Sequence, residues 1–178
     1  MFVKGEGLQR PVRLMKANSK IGRAETADVQ LPHESVSEQH AELSFDGTNW
    51  TLLDSGSTNG CVVDGRHLRS SAQIVRRNSL ISIGSLHLIF LCVSKETAGQ
   101  DRRDEARALQ LLTKGGRLDK TTANEIRQMM RAEASHSIAD IVLRDTQLAP
   151  VDWANAVATA RRKVSFFARI MRLFTGSK

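Results

Sequence analysis

Along the first half of the chain, apolar and polar residues alternate in short runs. His40-Ala-Glu-Leu-Ser-Phe45 is one such run and Leu80-Ile-Ser-Ile83 is another. Period-two alternation is the pattern of a half-buried strand, in which successive side chains point to opposite faces. It predicts strands over residues 12–15, 19–22, 29–31, 40–45, 50–53, 61–63, 80–83 and 86–92. Asp46-Gly47, Asn59-Gly60 and Asp64-Gly65 stand at strand ends as turn signals. Many short strands with frequent turns imply a sandwich of two sheets. From Asp101 the texture changes. Glycine becomes rare and alanine common, which favours helix. Helices are expected over 101–114, 121–133, 137–144 and 150–162, with a tail helix over 163–174. Asp119-Lys-Thr-Thr and Pro150-Val-Asp read as helix starts, and Gly115-Gly116 as a helix stop. The polar stretch 97–103 reads as a linker. The expected organisation is therefore a sandwich over 1–96, a linker over 97–103 and a helical domain over 104–178. Within that domain, Leu111-Leu-Thr-Lys-Gly-Gly-Arg-Leu118 and Ile141-Val-Leu-Arg-Asp-Thr-Gln-Leu148 are each followed by a helix. This internal repeat predicts two helical hairpins packed together.

Composition narrows the class. The chain has 178 residues, 40% apolar and 25% charged, within the range of soluble globular proteins. No run approaches the ~20 apolar residues needed to span a bilayer, and the first residues lack the apolar core of a signal peptide. The two cysteines, Cys61 and Cys92, sit in apolar, strand-like surroundings without a CxxC pair, which points to buried thiols, no metal site and a reducing, cytoplasmic location. The net charge of +7 is uneven: residues 1–96 hold 11 basic against 10 acidic side chains, and residues 161–178 hold 6 basic and none acidic. The basic character belongs to the tail, not to the strand-rich half.

Three segments carry candidate chemistry: Ile21-Gly22-Arg23 at a strand end, Val36-Ser37-Glu38-Gln39-His40-Ala41 before a strand, and Asp54-Ser-Gly-Ser-Thr58-Asn59-Gly60 in a loop. Val63-Asp-Gly65, Ile81-Ser-Ile-Gly84 and Leu86-His-Leu-Ile-Phe90 follow. In this order and spacing the motifs resemble the forkhead-associated (FHA) family over roughly residues 2–93. The resemblance implies a β-sandwich of the SMAD/FHA type that binds phosphothreonine peptides. It assigns Arg23 and Ser37 to the phosphate, Thr58 to phosphate or peptide backbone, and Asn59 to the peptide main chain. It makes His40 a scaffold, with Gly22 and Gly60 as glycines chosen for backbone conformation. Such roles fit phosphate chemistry, which needs a fixed cation and several short donors on a rigid base.

The sequence also departs from the family pattern. Glu38 stands where Arg, Lys or Asn is common. A carboxylate about 6 Å from a phosphate costs ~1 kcal/mol in water-like dielectric and about four times that at ε near 20. That rivals the ~1.5–3 kcal/mol of a charge-assisted bond from Arg23. Ser35 replaces an Arg that some members use to read an acidic residue beyond the phosphothreonine, so that preference does not transfer. Asn78-Ser79 stands in place of Gly-Asp, and Cys61 in place of Thr.

Residues 111–130 and 141–157 faintly resemble the helical module at the N-terminus of secretion and pilus assembly ATPases. The cyclic-dinucleotide motif of some relatives of that module is absent, so the resemblance implies docking only. In the tail, Val164, Phe167, Ile170, Met171 and Phe174 fall on one helical face, and Arg162, Ser165, Arg169 and Arg172 on another. Such a helix suits bundle or partner packing first, an anionic membrane surface second and nucleic acid last. His33, His67, His87 and His136 are scattered, without metal-ligand or triad spacing. The expected function is a phosphothreonine-dependent interaction module, cytoplasmic or peripherally membrane-associated, not an enzyme and without cofactor, whose helical domain takes a second protein. The alternative is a phospho-independent structural adaptor of a secretion-type assembly.

Overall fold

The computed structural model describes residues 2–5, 12–68, 71–91, 98–132 and 138–174. Two compact units divide the chain, Met1–Ser94 and Lys95–Lys178.

The first unit is a β-sandwich followed, in the second, by helices, as the alternation implied. Its strands are β1 Phe2–Gly5, β2 Val12–Arg13, β3 Asn18–Gly22, β4 Val29–Gln30, β5 Ala41–Phe45, β6 Trp50–Asp54, β7 Cys61–Val63, β8 Arg66–Leu68, β9 Gln73–Val75, β10 Leu80–Ile83 and β11 Leu86–Leu91. One sheet has the order β2-β1-β11-β10-β7-β8 and the other β4-β3-β5-β6-β9. Among the described strands β3 and β4 pair in parallel, and the remaining pairs are antiparallel. The inward residues of the two sheets form the core. Ile21, Leu31, Leu43, Leu52, Ile81, Ile83, Leu88 and Phe90 are all at 0% exposure. Strands β1, β8 and β9 were not expected. β8 and β9 have three residues each, too few for a period of two to be visible, and Arg66 and His67 are exposed.

Turn chemistry fixes register where it matters. Asp64 and Gly65 both have positive φ (50° and 83°) between the partners Val63 and Arg66. That is the type I′ hairpin expected of Asp-Gly. Gly84, at φ 57°, opens the two-residue turn between β10 and β11. Asn78, in place of the family's glycine, takes φ 63°. Asparagine tolerates that region better than most residues, which explains why the substitution fits.

The second unit contains α1 Ala98–Lys114, α2 Lys120–Ala132, α3 Ile138–Asp145 and α4 Pro150–Phe174. Residues 98–100, expected in a linker, and 101–103, where the linker and helix expectations overlap, form the first turns of α1. This end of the helix does not face solvent on all sides: Asp101 and the following Asp104 are buried, and Arg161 reaches both (3.4 and 3.3 Å). The two expected final helices are one continuous helix, α4. Helix α1 ends in a Schellman motif. Gly116 has φ 70°, Arg117 N–H donates to Leu112 O at 3.0 Å and Gly116 N–H to Thr113 O at 3.3 Å. Asp119 caps α2, accepting from Thr122 N–H at 2.8 Å. The repeat is structural. Ala108/Ile138, Leu109/Ala139, Leu112/Val142, Ala123/Trp153 and Ile126/Ala156, each thirty residues apart, are all buried. Glu105, at 0% exposure, accepts from Ile138 N–H at 3.0 Å and so ties α1 to the start of α3. Among the described residues no helix is long and apolar enough to cross a membrane.

Candidate functional site

Three loops meet at one end of the sandwich because buried side chains pin their stems. Val29 and Leu31 anchor the first, Val36 the second, and Cys61 the end of the third, all at 0–1% exposure. Parallel pairing of β3 with β4 brings the chain back past Gly22, whose carbonyl accepts from Leu31 N–H at 2.8 Å. The Ser37–Glu38 backbone then crosses directly over Gly22. A Cβ on Gly22 would overlap the Glu38 carbonyl oxygen and lie 2.9 Å from its carbon. Gly22 is thus needed for close backbone approach, not for a positive φ as expected. Gly60 has the positive φ expected of it, 76°.

That crossing joins Arg23 to Ser37. Arg23 N–H donates to Ser37 O at 2.9 Å. The Arg23 side chain is held as well, its Nε donating to Val36 O at 3.1 Å. The guanidinium is exposed, and its two terminal amino groups have no protein partner among the described residues. The Ser37 hydroxyl oxygen accepts from Thr58 N–H at 3.1 Å. Its single proton is left to donate elsewhere. Thr58 and Asn59 are exposed. Asn59 donates one amide hydrogen to Ser35 O at 2.8 Å, which orients the amide and leaves its other donor and its oxygen available. All four residues singled out in the sequence therefore converge, from three segments, on one solvent-facing rim.

His40 holds two of these segments together from beneath. It is at 0% exposure. Its Nδ1 accepts from Ser37 N–H at 3.0 Å, and a backbone N–H can only donate. The ring proton is therefore on Nε2, which donates to Gly60 O at 3.0 Å. Asp54 organises the third loop. Its carboxylate accepts from Gly56 N–H (2.9 Å), Ser57 N–H (2.8 Å) and Ser57 Oγ (2.7 Å). Partial burial pushes the Asp54 carboxyl up, but the bonds from Ser57, the Cys61 thiol and Gly56 outweigh this and hold it below the ordinary range. Burial, then the bond to Asp54, push the Cys61 thiol up, so it stays protonated. His40, Asp54 and Cys61 lie within 4.8 Å of one another. Their grouping is a hydrogen-bond knot and not a metal centre: both histidine nitrogens are occupied and the thiol is a donor. Cys92 lies outside the described residues.

Ser35 was not singled out as a positioning residue, yet it links three segments. Beyond its carbonyl bond to Asn59, its Oγ accepts from Ser85 N–H at 3.0 Å and lies 2.8 Å from both Ser85 Oγ and His33 Nδ1. Gly84 leaves room for it, since a Cβ there would meet the Ser35 carbonyl oxygen. Ser35 and Ser85 are fifty residues apart, so no local signal marks the pair. Glu38 does not join the group around Arg23. It lines a separate cleft with Lys20, Thr26, Gln39, Glu42 and Ser55.

Residues 19–84 match the FHA domain family. The chain is 36% identical over 75 residues to an oxoglutarate dehydrogenase inhibitor of Corynebacterium jeikeium, covering 42% of this chain and 51% of the relative. It is 30% identical over 88 residues to the glycogen accumulation regulator GarA of Mycobacterium tuberculosis, covering 49% and 52%. The chain thus spans about half the length of these relatives. An FHA domain solved in a study of phosphothreonine-dependent FHA interactions superposes with a TM-score of 0.48 at 26% identity, covering 52% of this chain and 96% of that one.

Proposed function

We propose that this chain, whose N-terminal unit contains an FHA domain, is a phosphothreonine-dependent protein–protein interaction module that acts as an adaptor. One observation carries the reading: Arg23 and Ser37 are locked side by side by a backbone hydrogen bond while the groups that suit a phosphate stay uncommitted. The terminal amino groups of Arg23 grip two phosphate oxygens as a planar fork, and the Ser37 hydroxyl donates to a third. Thr58, whose N–H fixes the Ser37 oxygen, borders the same phosphate. Asn59, oriented by Ser35, holds the peptide main chain. The chemistry is reversible recognition, with no bond made or broken.

The helical unit provides a second docking surface. Its thirty-residue helical repeat and its sequence likeness to the helical module of secretion and pilus assembly ATPases support a protein partner. The basic residues at the end of α4 support an anionic membrane surface as a further contact; their side chains lie outside the described residues.

Fluorescence anisotropy with a phosphothreonine peptide library tests the reading. Binding is expected, with a loss of about tenfold or more for Arg23→Ala, the equivalent of a ~1.5–3 kcal/mol charge-assisted bond. Phosphatase treatment of the peptides should abolish it. Binding that survives phosphatase, or that is indifferent to Arg23→Ala, would favour a phospho-independent adaptor instead.

A further inference from the structure

We propose that Glu38 sets the ligand class of this site, making recognition conditional on a basic residue beside the phosphothreonine. The inference rests on the reading above. Glu38 directly follows Ser37 and is exposed, and among the described residues its carboxylate has no hydrogen bond or ion pair. The cleft it lines is walled by the segments that carry the phosphate-binding groups. Thr26 belongs to the loop that begins at Arg23, and Ser55 to the loop that ends in Thr58 and Asn59. Cleft and phosphate groups are therefore carried by the same loops, and the step from Ser37 to Glu38 leads from one to the other, which sets the cleft beside the rim within reach of a peptide residue next to the phosphothreonine. Within it, Lys20 stands opposite Glu42 in the register of β3 and β5, so those two charges offset each other. Glu38 is the surplus negative charge. Ala27 and Ala41 supply an apolar lining suited to the methylene stem of a lysine or arginine.

The electrostatics give this carboxylate a selective role. With a neutral neighbour on the peptide, the phosphate and Glu38 simply repel. A basic neighbour is attracted to both and cancels the penalty. An acidic neighbour adds a third negative charge to the same rim. Discrimination then comes as much from repulsion of the wrong ligand as from attraction of the right one. Unit charges about 6 Å apart, at an effective dielectric constant between those of water and of a protein surface, change affinity by roughly three- to a hundredfold.

The test uses the full chain and alanine-based phosphothreonine peptides carrying a single Arg or a single Asp at each of the three positions on either side. Arg is expected to bind about tenfold more tightly than Asp at one or two adjacent positions in low salt, and the ratio should shrink as salt rises. Glu38→Gln should level the preference and Glu38→Lys invert it, with both variants still needing Arg23. Arg23-dependent binding without a charge preference, or a preference unchanged in Glu38→Lys, overturns this inference and leaves the proposed function standing. No Arg23-dependent binding of any of these peptides overturns both.

Discussion

His40 offers a stringent test of how the site is held, because it is wholly buried and so cannot touch a ligand. Replacing it by alanine removes one acceptor from Ser37 N–H and one donor from Gly60 O, each bond being 3.0 Å. A stranded buried polar group costs about 1–3 kcal/mol. Ser37 and Gly60 are half-buried, which places each near the lower end, for about 2 kcal/mol together. The lost ring contacts and residual cavity add about 1–2 kcal/mol, less than a large apolar truncation because imidazole is polar. The sandwich should therefore lose about 3–4 kcal/mol, a large share of the stability of a small domain. Each unit contains one tryptophan, Trp50 in the sandwich and Trp153 in the helices. Urea unfolding followed by fluorescence in a Trp153→Phe background isolates the sandwich. Peptide anisotropy below the transition should also show weaker binding, since Ser37 and the Thr58–Gly60 loop lose their common brace. A loss under about 1 kcal/mol, within the range of an ordinary surface substitution plus error, would refute the account. It would mean that water takes over both bonds and that the ring is not the brace.

Gly22→Ala should destabilise the sandwich by about 1–3 kcal/mol through overpacking and weaken phosphopeptide binding, because the new Cβ forces the Glu38 carbonyl and with it Ser37 away from Arg23; urea midpoints and anisotropy read the two effects. Asp54 gives a pH signature. Its folded-state pKa lies below the ordinary value, so its contribution is complete above the unfolded pKa of about 4 and is lost as pH falls through the lower folded value. Stability of the wild type should thus decline below about pH 4 more steeply than that of Asp54→Asn, as measured by urea unfolding across pH 2–6. In the helical unit, Glu105→Leu leaves Ile138 N–H without the acceptor it has at 3.0 Å. The expected loss is about 1–3 kcal/mol, seen in Trp153 fluorescence of a Trp50→Phe background and absent from the Trp50 signal of the sandwich in a Trp153→Phe background.

The sequence by itself determined the sandwich class, the turn positions, the four residues at the rim and the thirty-residue helical repeat. Each leaves a local signature: alternation along a strand, glycine or asparagine where φ is positive, a fixed motif order, or apolar positions recurring at one offset. Only the tertiary structure decided why Gly22 must be glycine, since the backbone that excludes a Cβ there arrives sixteen residues later. It also decided that Ser35 braces Asn59 through contacts fifty residues away at Ser85. The same holds for 98–103, read as a linker from its polarity. Asp101 and Asp104 enter a helix face because Arg161, far along the chain, neutralises them. Glu38 is the clearest instance: its identity was visible in the sequence, but which side of the loop it lines depends on where β3, β5 and the Asp54 loop come together. Periodicity records what a residue's near neighbours do. Close approach, charge pairing and the facing of a side chain are set by segments remote in sequence, and those exist only once the sheets have packed.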